Sequence, residues 1–331
     1  MSPPLPTNDY RLVARDYGGP EVIEAEPIVP GPVAPGMARV RHRAIGVNFI
    51  DTYHRTGLYK QPLPAGLGVE AAGVVEALGA EVAGWRIGDR VGYASQTTGA
   101  YASWLDVPAD RLVAIPDSIS DEGAAAILLK GLTAETLIFG CARIEPGQSA
   151  LVPAAAGGMG RLLVQWLSAI GVKVVAHAGS AEKAAIAKGL GAAAALHCPF
   201  DDLAAAVREA TGGDGVDFVF DGVGAASFTA SLDSLRRRGL MISFGNASGA
   251  VPPVSPLELA SRKSLFLTRP RLYDFIVERS ELEASAAHLF RMVAEGKVTI
   301  EIGLKRPLQE AAEVHRLLEA RQTTGSAILI P

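Results

Sequence analysis

The run Ala154-Ala-Ala-Gly-Gly-Met-Gly160 decides the fold through what flanks it. Before it stands the apolar stretch Ser149-Ala-Leu-Val-Pro153, and after it Leu162-Leu-Val-Gln-Trp-Leu-Ser-Ala-Ile170. Strand, small-residue turn and apolar helix in that order make an element that binds a dinucleotide. The turn lets backbone approach a pyrophosphate, and the free N–H groups at the helix start face it. Gly157 and Gly160 fall at the second and third glycine positions of the pattern, with Ala155 at the first. Gly157 is expected to admit the phosphates and Gly160 to let the helix lie close to its strand; Ala156, Gly158 and Met159 complete the loop. Alone, the heptapeptide reads equally as a plain turn in an alanine-rich chain, and its flanks favour the cofactor.

The next strand bears on which cofactor. An NAD site places an acid about 20 residues past the glycines, where it binds the ribose 2′-hydroxyl. Here the chain reads Val172-Lys-Val-Val-Ala-His-Ala-Gly-Ser-Ala-Glu-Lys183, with Gly179 and Ser180 at the strand end and no carboxylate there. A 2′-phosphate needs hydroxyl, N–H and cationic partners, which Ser180 and Lys183 can supply. Glu182 reads as a solvent-facing helix residue, and Lys183 reads equally as an ordinary surface lysine. The missing acid favours NADPH over NADH.

The chain has 331 residues, 49% of them hydrophobic, enough for two domains with cores of their own. A net charge of -4 gives no electrostatic footprint for nucleic acid. The opening Met1-Ser-Pro-Pro-Leu-Pro-Thr-Asn-Asp-Tyr10 lacks the basic start and apolar core of a secretory signal. No uninterrupted apolar run of about 18 residues is present, so no membrane span is expected. Two cysteines, Cys141 and Cys198, make no disulfide framework and suit a reducing, cytoplasmic compartment.

Residues 8–110 hold short β-rich segments such as Met37-Ala-Arg-Val-Arg-His-Arg-Ala-Ile45 and Gly73-Val-Val-Glu-Ala-Leu78, broken by Gly and Pro. They predict an antiparallel sheet or partial barrel. From about 129 strands and helices alternate: strands at 149–153, 172–177, 217–221 and 239–245 predict a parallel sheet covered by helices. A helix around 281–295 and a strand Ser326-Ala-Ile-Leu-Ile330 follow, and the closing strand is expected to rejoin the first sheet.

Six ordered motifs carry a resemblance. They are GlyValAsnPheIleAspThrTyr at 46–53, GlyLeuGlyValGluAlaAlaGly at 66–73, LeuLysGlyLeuThr at 129–133, the glycine run, ArgArgGlyLeuMetIleSerPheGlyAsn at 237–246 and LeuThrArgPro at 267–270. Together they resemble the zeta-crystallin-like NADPH:quinone oxidoreductases, the zinc-free branch of the medium-chain dehydrogenase/reductase superfamily. The resemblance implies an α/β fold with a Rossmann doubly wound parallel sheet inserted into a GroES-like β-rich catalytic domain. The Rossmann, NADPH-binding domain would span residues 129–270, and the discontinuous catalytic domain residues 1–128 with 271–331.

Zinc members of the superfamily need Cys and His ligands. Asn48 stands where the first catalytic Cys would be and Val69 where a GlyHisGlu motif would put His; Glu70 reads as a buried structural partner of an arginine or backbone amide. Without a Lewis acid, an electrophilic acceptor such as a quinone or an α,β-unsaturated carbonyl fits better than a simple ketone. The resemblance implies that Asn48, Asp51, Tyr53 and Tyr59 line the cleft where nicotinamide and substrate meet. Asp51 reads equally as a turn or cap residue, and Tyr59 as a loop aromatic. Lys130 and Thr133 would approach the nicotinamide from the domain junction, with Phe244, Gly245 and Asn246 at a strand end. Arg321 would reach the 2′-phosphate. Where relatives carry Tyr beside that phosphate, His197-Cys198 stands here. His197 reads either as its substitute or as a solvent-facing loop residue, so cofactor discrimination is less fixed than cofactor binding.

The apolar segment Ser264-Leu-Phe-Leu-Thr268 would be a hazardous free edge. The resemblance implies that it pairs with the same strand of a second subunit in a homodimer. Quinone reduction stands as the expected activity, 2-alkenal or enone reduction as its neighbour, and a non-catalytic crystallin or RNA-binding role as the alternative of another class. An intact glycine run speaks against the last. The preferred acceptor and the number of electrons moved per encounter are open.

Overall fold

The strand Ser149–Val152 lies inside a six-stranded sheet whose order is Ala194–Leu196, Lys173–His177, Ser149–Val152, Val216–Asp221, Leu235–Ser243, Phe266–Thr268. All five pairings are parallel. The protein is described by a computed structural model over residues 9–331; the opening segment read above for a secretory signal lies, up to Asn8, outside the described residues. In chain order the strands run 3-2-1-4-5-6, the doubly wound arrangement, with its topological switch between Ser149–Val152 and Val216–Asp221. Ala150, Leu151 and Val152 are completely buried, as strands covered on both faces require. On one side Leu151, Val175, Val219 and Met241 pack with Leu203, Val207, Phe228 and Leu232 from the helices Phe200–Ala210 and Phe228–Asp233.

This sheet belongs to a unit formed by Lys130–Val277 and Ala287–Thr299; the other unit takes the rest, with Glu278–Ala286 and Ile300–Pro331 joining the amino-terminal segment. Residues 271–277 and 287–299, expected from sequence with the first unit, therefore fall in the second. The helix Arg279–Ala294 explains the split. At its start Arg279 Nη1 donates to the carbonyls of Asp110 and Leu112. Further along, the His288 ring packs tilted against Phe139 and edge-on against Trp166, at 4.9 and 5.1 Å between ring centres, and Leu289 fills the space left by Gly131.

In the first unit the eleven-residue strand Met37–Val47 is central. It pairs antiparallel with Glu70–Leu78, Trp104–Pro108 and the closing strand Ser326–Ile330, so the carboxy terminus does rejoin the first sheet. The seven-stranded sheet ends on Ile302–Pro307, which runs parallel to Ser326–Ile330. This edge strand is not evident from sequence, because Lys305 and Arg306 suit an unpaired rim and hide its alternation.

Among the described residues one helix, Asp121–Ala142, is long and apolar enough to cross a membrane by length and composition. Its apolar run is interrupted by Lys130 and Glu135 and so falls short of an unbroken stretch of about 18 residues. Its Ala124–Leu129 stretch and Leu132 are buried in the protein, as in a core helix.

Three buried histidines set a pH limit on the first unit. Burial holds His42 and His54 down to about 4, from an ordinary value of 6.5. Burial and the neighbouring Arg55 hold His315 down to about 3. All three are neutral in the fold and protonate more readily when unfolded, so their contribution is complete above about pH 6.5 and is lost as pH falls toward 4 and then 3. Urea midpoints measured from pH 7 to pH 4 are expected to fall steadily, with net proton uptake on unfolding to which His177, also lowered by burial, adds. A flat profile over that range would contradict these neutral histidines.

Candidate active site

The glycine run closes tightly on its own backbone. Ala154 takes a left-handed φ of 52°, Gly157 N–H donates to Ala154 O at 3.0 Å, and Ala155 N–H ties the turn to His177 O at 3.0 Å. The helix Gly158–Ala169 begins here, its first bond running from Arg161 N–H to Gly157 O at 2.9 Å. Gly158, Met159 and Gly160 thus supply N–H groups without intrahelical acceptors. A Cβ on Gly160 would stand 2.3 Å from Ala154 O and 2.7 Å from Ala155 Cα, so glycine is required for helix and strand to touch. A Cβ on Gly157 would meet only Ala154 O, at 3.4 Å. The space beside Gly157 is open, and it adjoins the free N–H groups.

Across the switch point stands Asp221, a completely buried carboxyl that in sequence is distinguished only as a strand end. Its Oδ1 accepts from Val223 N–H (2.8 Å) and Gly224 N–H (3.1 Å), and its Oδ2 from Ser227 Oγ (2.6 Å) and Ser231 Oγ (2.5 Å). A signal is nevertheless present: an acid ending a strand, with two serines one helical turn apart behind it. These bonds shape the 222–224 turn against the loop after the next strand. A Cβ on Gly245 would stand 2.3 Å from Gly222 O, and one on Gly224 2.5 Å from Gly249 O. Phe244 N–H donates to Asp221 O at 2.8 Å, and Arg269 holds Ser243 Oγ and Gly245 O at 3.1 and 3.0 Å. Phe244 and Asn246 are half-buried beside them.

At the end of Lys173–His177 the chain exposes Gly179 and starts the helix Ala181–Gly189, with Ser180 as its N-cap. Ser180 Oγ accepts from Lys183 N–H at 3.2 Å. Its hydroxyl also meets exposed Glu182, whose carboxyl lies below its usual range mainly through its own N–H and then through Ser180. Ser180 is therefore a helix cap as well as a candidate phosphate contact, and Glu182, though solvent-facing, reaches back to the strand end. Lys183 is half-buried and His197 is exposed. Cys198 O accepts from His177 Nε2 at 2.9 Å.

In the first unit Asn48 precedes the helix Phe49–Thr56. Its side-chain amide donates to Glu70 Oε1 at 2.6 Å, and Glu70 Oε2 accepts Leu129 N–H at 2.7 Å. Glu70 is completely buried and Asn48 nearly so. A carboxylate only accepts, so the nitrogen of the Asn48 amide must face Glu70 and its orientation is fixed. A Cβ on Gly46 would stand 2.2 Å from Glu70 Oε1, which makes Gly46 part of this pocket. Asp51 Oδ2 accepts Asn48 N–H at 2.8 Å and the Tyr101 hydroxyl at 2.9 Å. Completely buried, Asp51 caps the helix start and is placed to support Asn48. Tyr53 is buried with its ring edge-on to exposed Tyr59, 5.3 Å between centres. Lys130 and Thr133 are half-buried on the helix Asp121–Glu135, and Arg321 is exposed at a left-handed φ of 58° after Ala311–Glu319.

The donor set around Asn48 does not suit zinc. Val69 is apolar and the Asn48 nitrogen is committed to Glu70. Among the described residues no three His, Cys, Asp or Glu side chains converge.

A six-stranded doubly wound sheet with a glycine-lined switch point, joined to a β-rich unit built from both chain ends, defines a medium-chain dehydrogenase/reductase. Residues 34–117 match the alcohol dehydrogenase GroES-like domain and residues 158–313 the zinc-binding dehydrogenase family. Quinone oxidoreductase of Salmonella typhimurium is 44% identical over 324 residues, 97% of this chain and 99% of that one. The crystal structure of Escherichia coli quinone oxidoreductase complexed with NADPH superposes with a TM-score of 0.95 at 43% identity, covering 97% of this chain and all of the other. The 2-haloacrylate reductase of a Burkholderia species is 39% identical over 96% of this chain and 98% of its own length. This chain belongs to the quinone oxidoreductase family.

The two glycines of the turn should behave oppositely. Gly160→Ala forces backbone against backbone and is expected to cost about 1–3 kcal/mol, whereas Gly157→Ala should stay within about 1 kcal/mol of the parent. Urea denaturation of both variants decides; equal losses would mean that the helix does not lean on Gly160.

Proposed function

We propose that this protein reduces quinones with NADPH and without zinc. The observation that carries the reading is the pairing of Asn48 with buried Glu70 at a position where a zinc enzyme would place a metal ligand. A site built this way lacks Lewis-acid assistance and suits an acceptor that is already electrophilic. NADPH fits the open space at Gly157, where the N–H groups of Gly158, Met159 and Gly160 would hold its pyrophosphate, with Ala156 at the turn. Ser180, Lys183 and Arg321 would hold the 2′-phosphate beside Gly179, and Lys130, Thr133, Phe244, Gly245 and Asn246 the nicotinamide end. When bound, NADPH supplies the reducing equivalent from its nicotinamide C4.

The chain's own role is then alignment. Tyr53 would donate its phenolic proton in a hydrogen bond to a quinone oxygen, Asn48 would hold the nicotinamide and acceptor in register, and Asp51 and Tyr59 would line the cleft beside them. Reduction of α,β-unsaturated carbonyls is the second reading, favoured by the identity with 2-haloacrylate reductase. We read the acceptor as a small molecule, and the free cysteines suit a reducing, cytoplasmic setting. We also read the protein as a homodimer. Phe266–Thr268 is one edge strand of the sheet, two residues shorter than expected, and begins after left-handed Ser264. Phe266 is 56% exposed there, and pairing with a second copy would cover it.

Purified protein is expected to oxidise NADPH with small quinones at full rate after exhaustive chelation, and to leave simple aliphatic ketones essentially untouched. Stoichiometric zinc, or turnover abolished by chelation, would overturn the zinc-free reading; faster turnover with 2-alkenals than with any quinone would favour the second. Lys183→Ala should weaken NADPH about tenfold with little change for NADH. Gly157→Ala should weaken both cofactors by blocking their shared pyrophosphate. Sedimentation at micromolar concentration should return a dimer mass, and a Phe266→Glu variant a monomer.

A further inference from the structure

The hydrogen bonds that hold Asp51 continue beyond it. The Tyr101 hydroxyl that donates to Asp51 lies 3.0 Å from His315 Nε2, and His315 Nδ1 lies 3.0 Å from Arg55 Nη1. Arg55 also donates to Glu319 Oε1 at 2.6 Å and to Gly18 O at 3.0 Å. Asp51, Tyr101 and His315 are 0% exposed and Arg55 is 1% exposed. The chain of contacts joins the helix Phe49–Thr56 to the helix Ala311–Glu319, far away in sequence.

Its polarity is fixed from one end. A guanidinium has no acceptor, so Arg55 donates and His315 Nδ1 accepts. The ring proton then sits on Nε2 and points at Tyr101 Oη, which leaves the single phenolic proton for Asp51. Donation runs in one direction, Arg55 to His315 to Tyr101 to Asp51, and Asp51 Oδ2 meets the Asn48 N–H from the other side. Burial and Arg55 keep a second proton off His315 until about pH 3, so the direction does not reverse at ordinary pH. A buried polar chain of this kind is less favourable than an apolar core unless its members are all satisfied, and once satisfied it specifies one arrangement.

We infer that Arg55, His315 and Tyr101 are positioning residues for the candidate site, holding Asp51 and through it the helix start that sets Asn48 and Tyr53. The inference rests on the reading of Asn48 given under the proposed function. The test is a double-mutant cycle of Tyr101→Phe with Asn48→Ala, read by quinone turnover, by the fluorescence emission and affinity of bound NADPH, and by thermal midpoint. In the parent, Tyr101→Phe is expected to lower kcat about tenfold with KM nearly unchanged, and to shift the nicotinamide emission. On the Asn48→Ala background the same change should cost less than about twofold and leave the emission alone, while the thermal midpoint falls equally in both.

Equal kcat losses and emission shifts on both backgrounds, or no effect in the parent, overturn the inference. Where Asn48→Ala abolishes turnover, emission and affinity decide in the same way. His315→Gln, which can keep an acceptor toward Arg55 and a donor toward Tyr101, should retain more activity than His315→Leu; the reverse order overturns the polarity argument. If Asn48→Ala itself changes neither turnover nor emission, the reading of Asn48 fails first and takes this inference with it.

Discussion

Backbone pressed against backbone at the carboxyl ends of the parallel strands is the constraint on which the second unit depends. Gly160 leans on Ala154, Gly245 on Gly222 and Gly224 on Gly249, each at a separation that leaves no room for a methyl group. The first closes the turn after Ser149–Val152 on its own helix, and the other two draw together the loops after Val216–Asp221 and Leu235–Ser243. Close approach would strand polar backbone groups unless something satisfied them. The carboxyl of Asp221 meets that need at the central turn, with two backbone N–H groups and two serine hydroxyls. The opening beside Gly157 survives because the neighbouring glycine positions are filled by protein and this one is not.

The first unit solves a different problem with buried polar chemistry. Glu70 has no exposure, and Gly46 gives it space. Leu129 N–H and the Asn48 amide satisfy its two oxygens and fix which way Asn48 faces. Asp51 holds the Asn48 backbone from beneath, and Tyr101, His315 and Arg55 hold Asp51. Rigidity at Asn48 thus comes from groups that face inward. On the zinc-free reading proposed above, alignment supplies most of the rate, and such rigidity then matters more than an unusual pKa at a reacting side chain.

The glycine run was legible because its signal is local. A strand, a small-residue turn and a helix follow one another within about 20 residues, and steric exclusion at Gly160 acts between neighbours in sequence. The absence of Cys and His at positions 48 and 69, and of an acid after Ala178, could likewise be read letter by letter. Asp51 could not be placed that way. Its identity suits a cleft or a cap equally; the structure shows the capping bond from Asn48 N–H and adds the Tyr101 hydroxyl, brought from fifty positions away. The edge strand Ile302–Pro307 was hidden because its exposed Lys and Arg erase the apolar alternation that marks a half-buried strand.

By itself the sequence determined a parallel sheet covered by helices and the dinucleotide turn, which follow from the alternation of apolar segments and from residues small enough to admit a phosphate. The doubly wound order was implied by the family resemblance, and the return of the closing strand to the first sheet was an expectation that the structure bears out. Tertiary structure decided the partners. It chose Leu129 N–H and Asn48 for Glu70, gave Ser180 a capping duty, divided the helix Arg279–Ala294 between two units, and closed the chain from Arg55 to Asp51. The physical reason is that a buried polar side chain is defined by the donor or acceptor that meets it, and those groups arrive from strands and helices that sequence distance does not order.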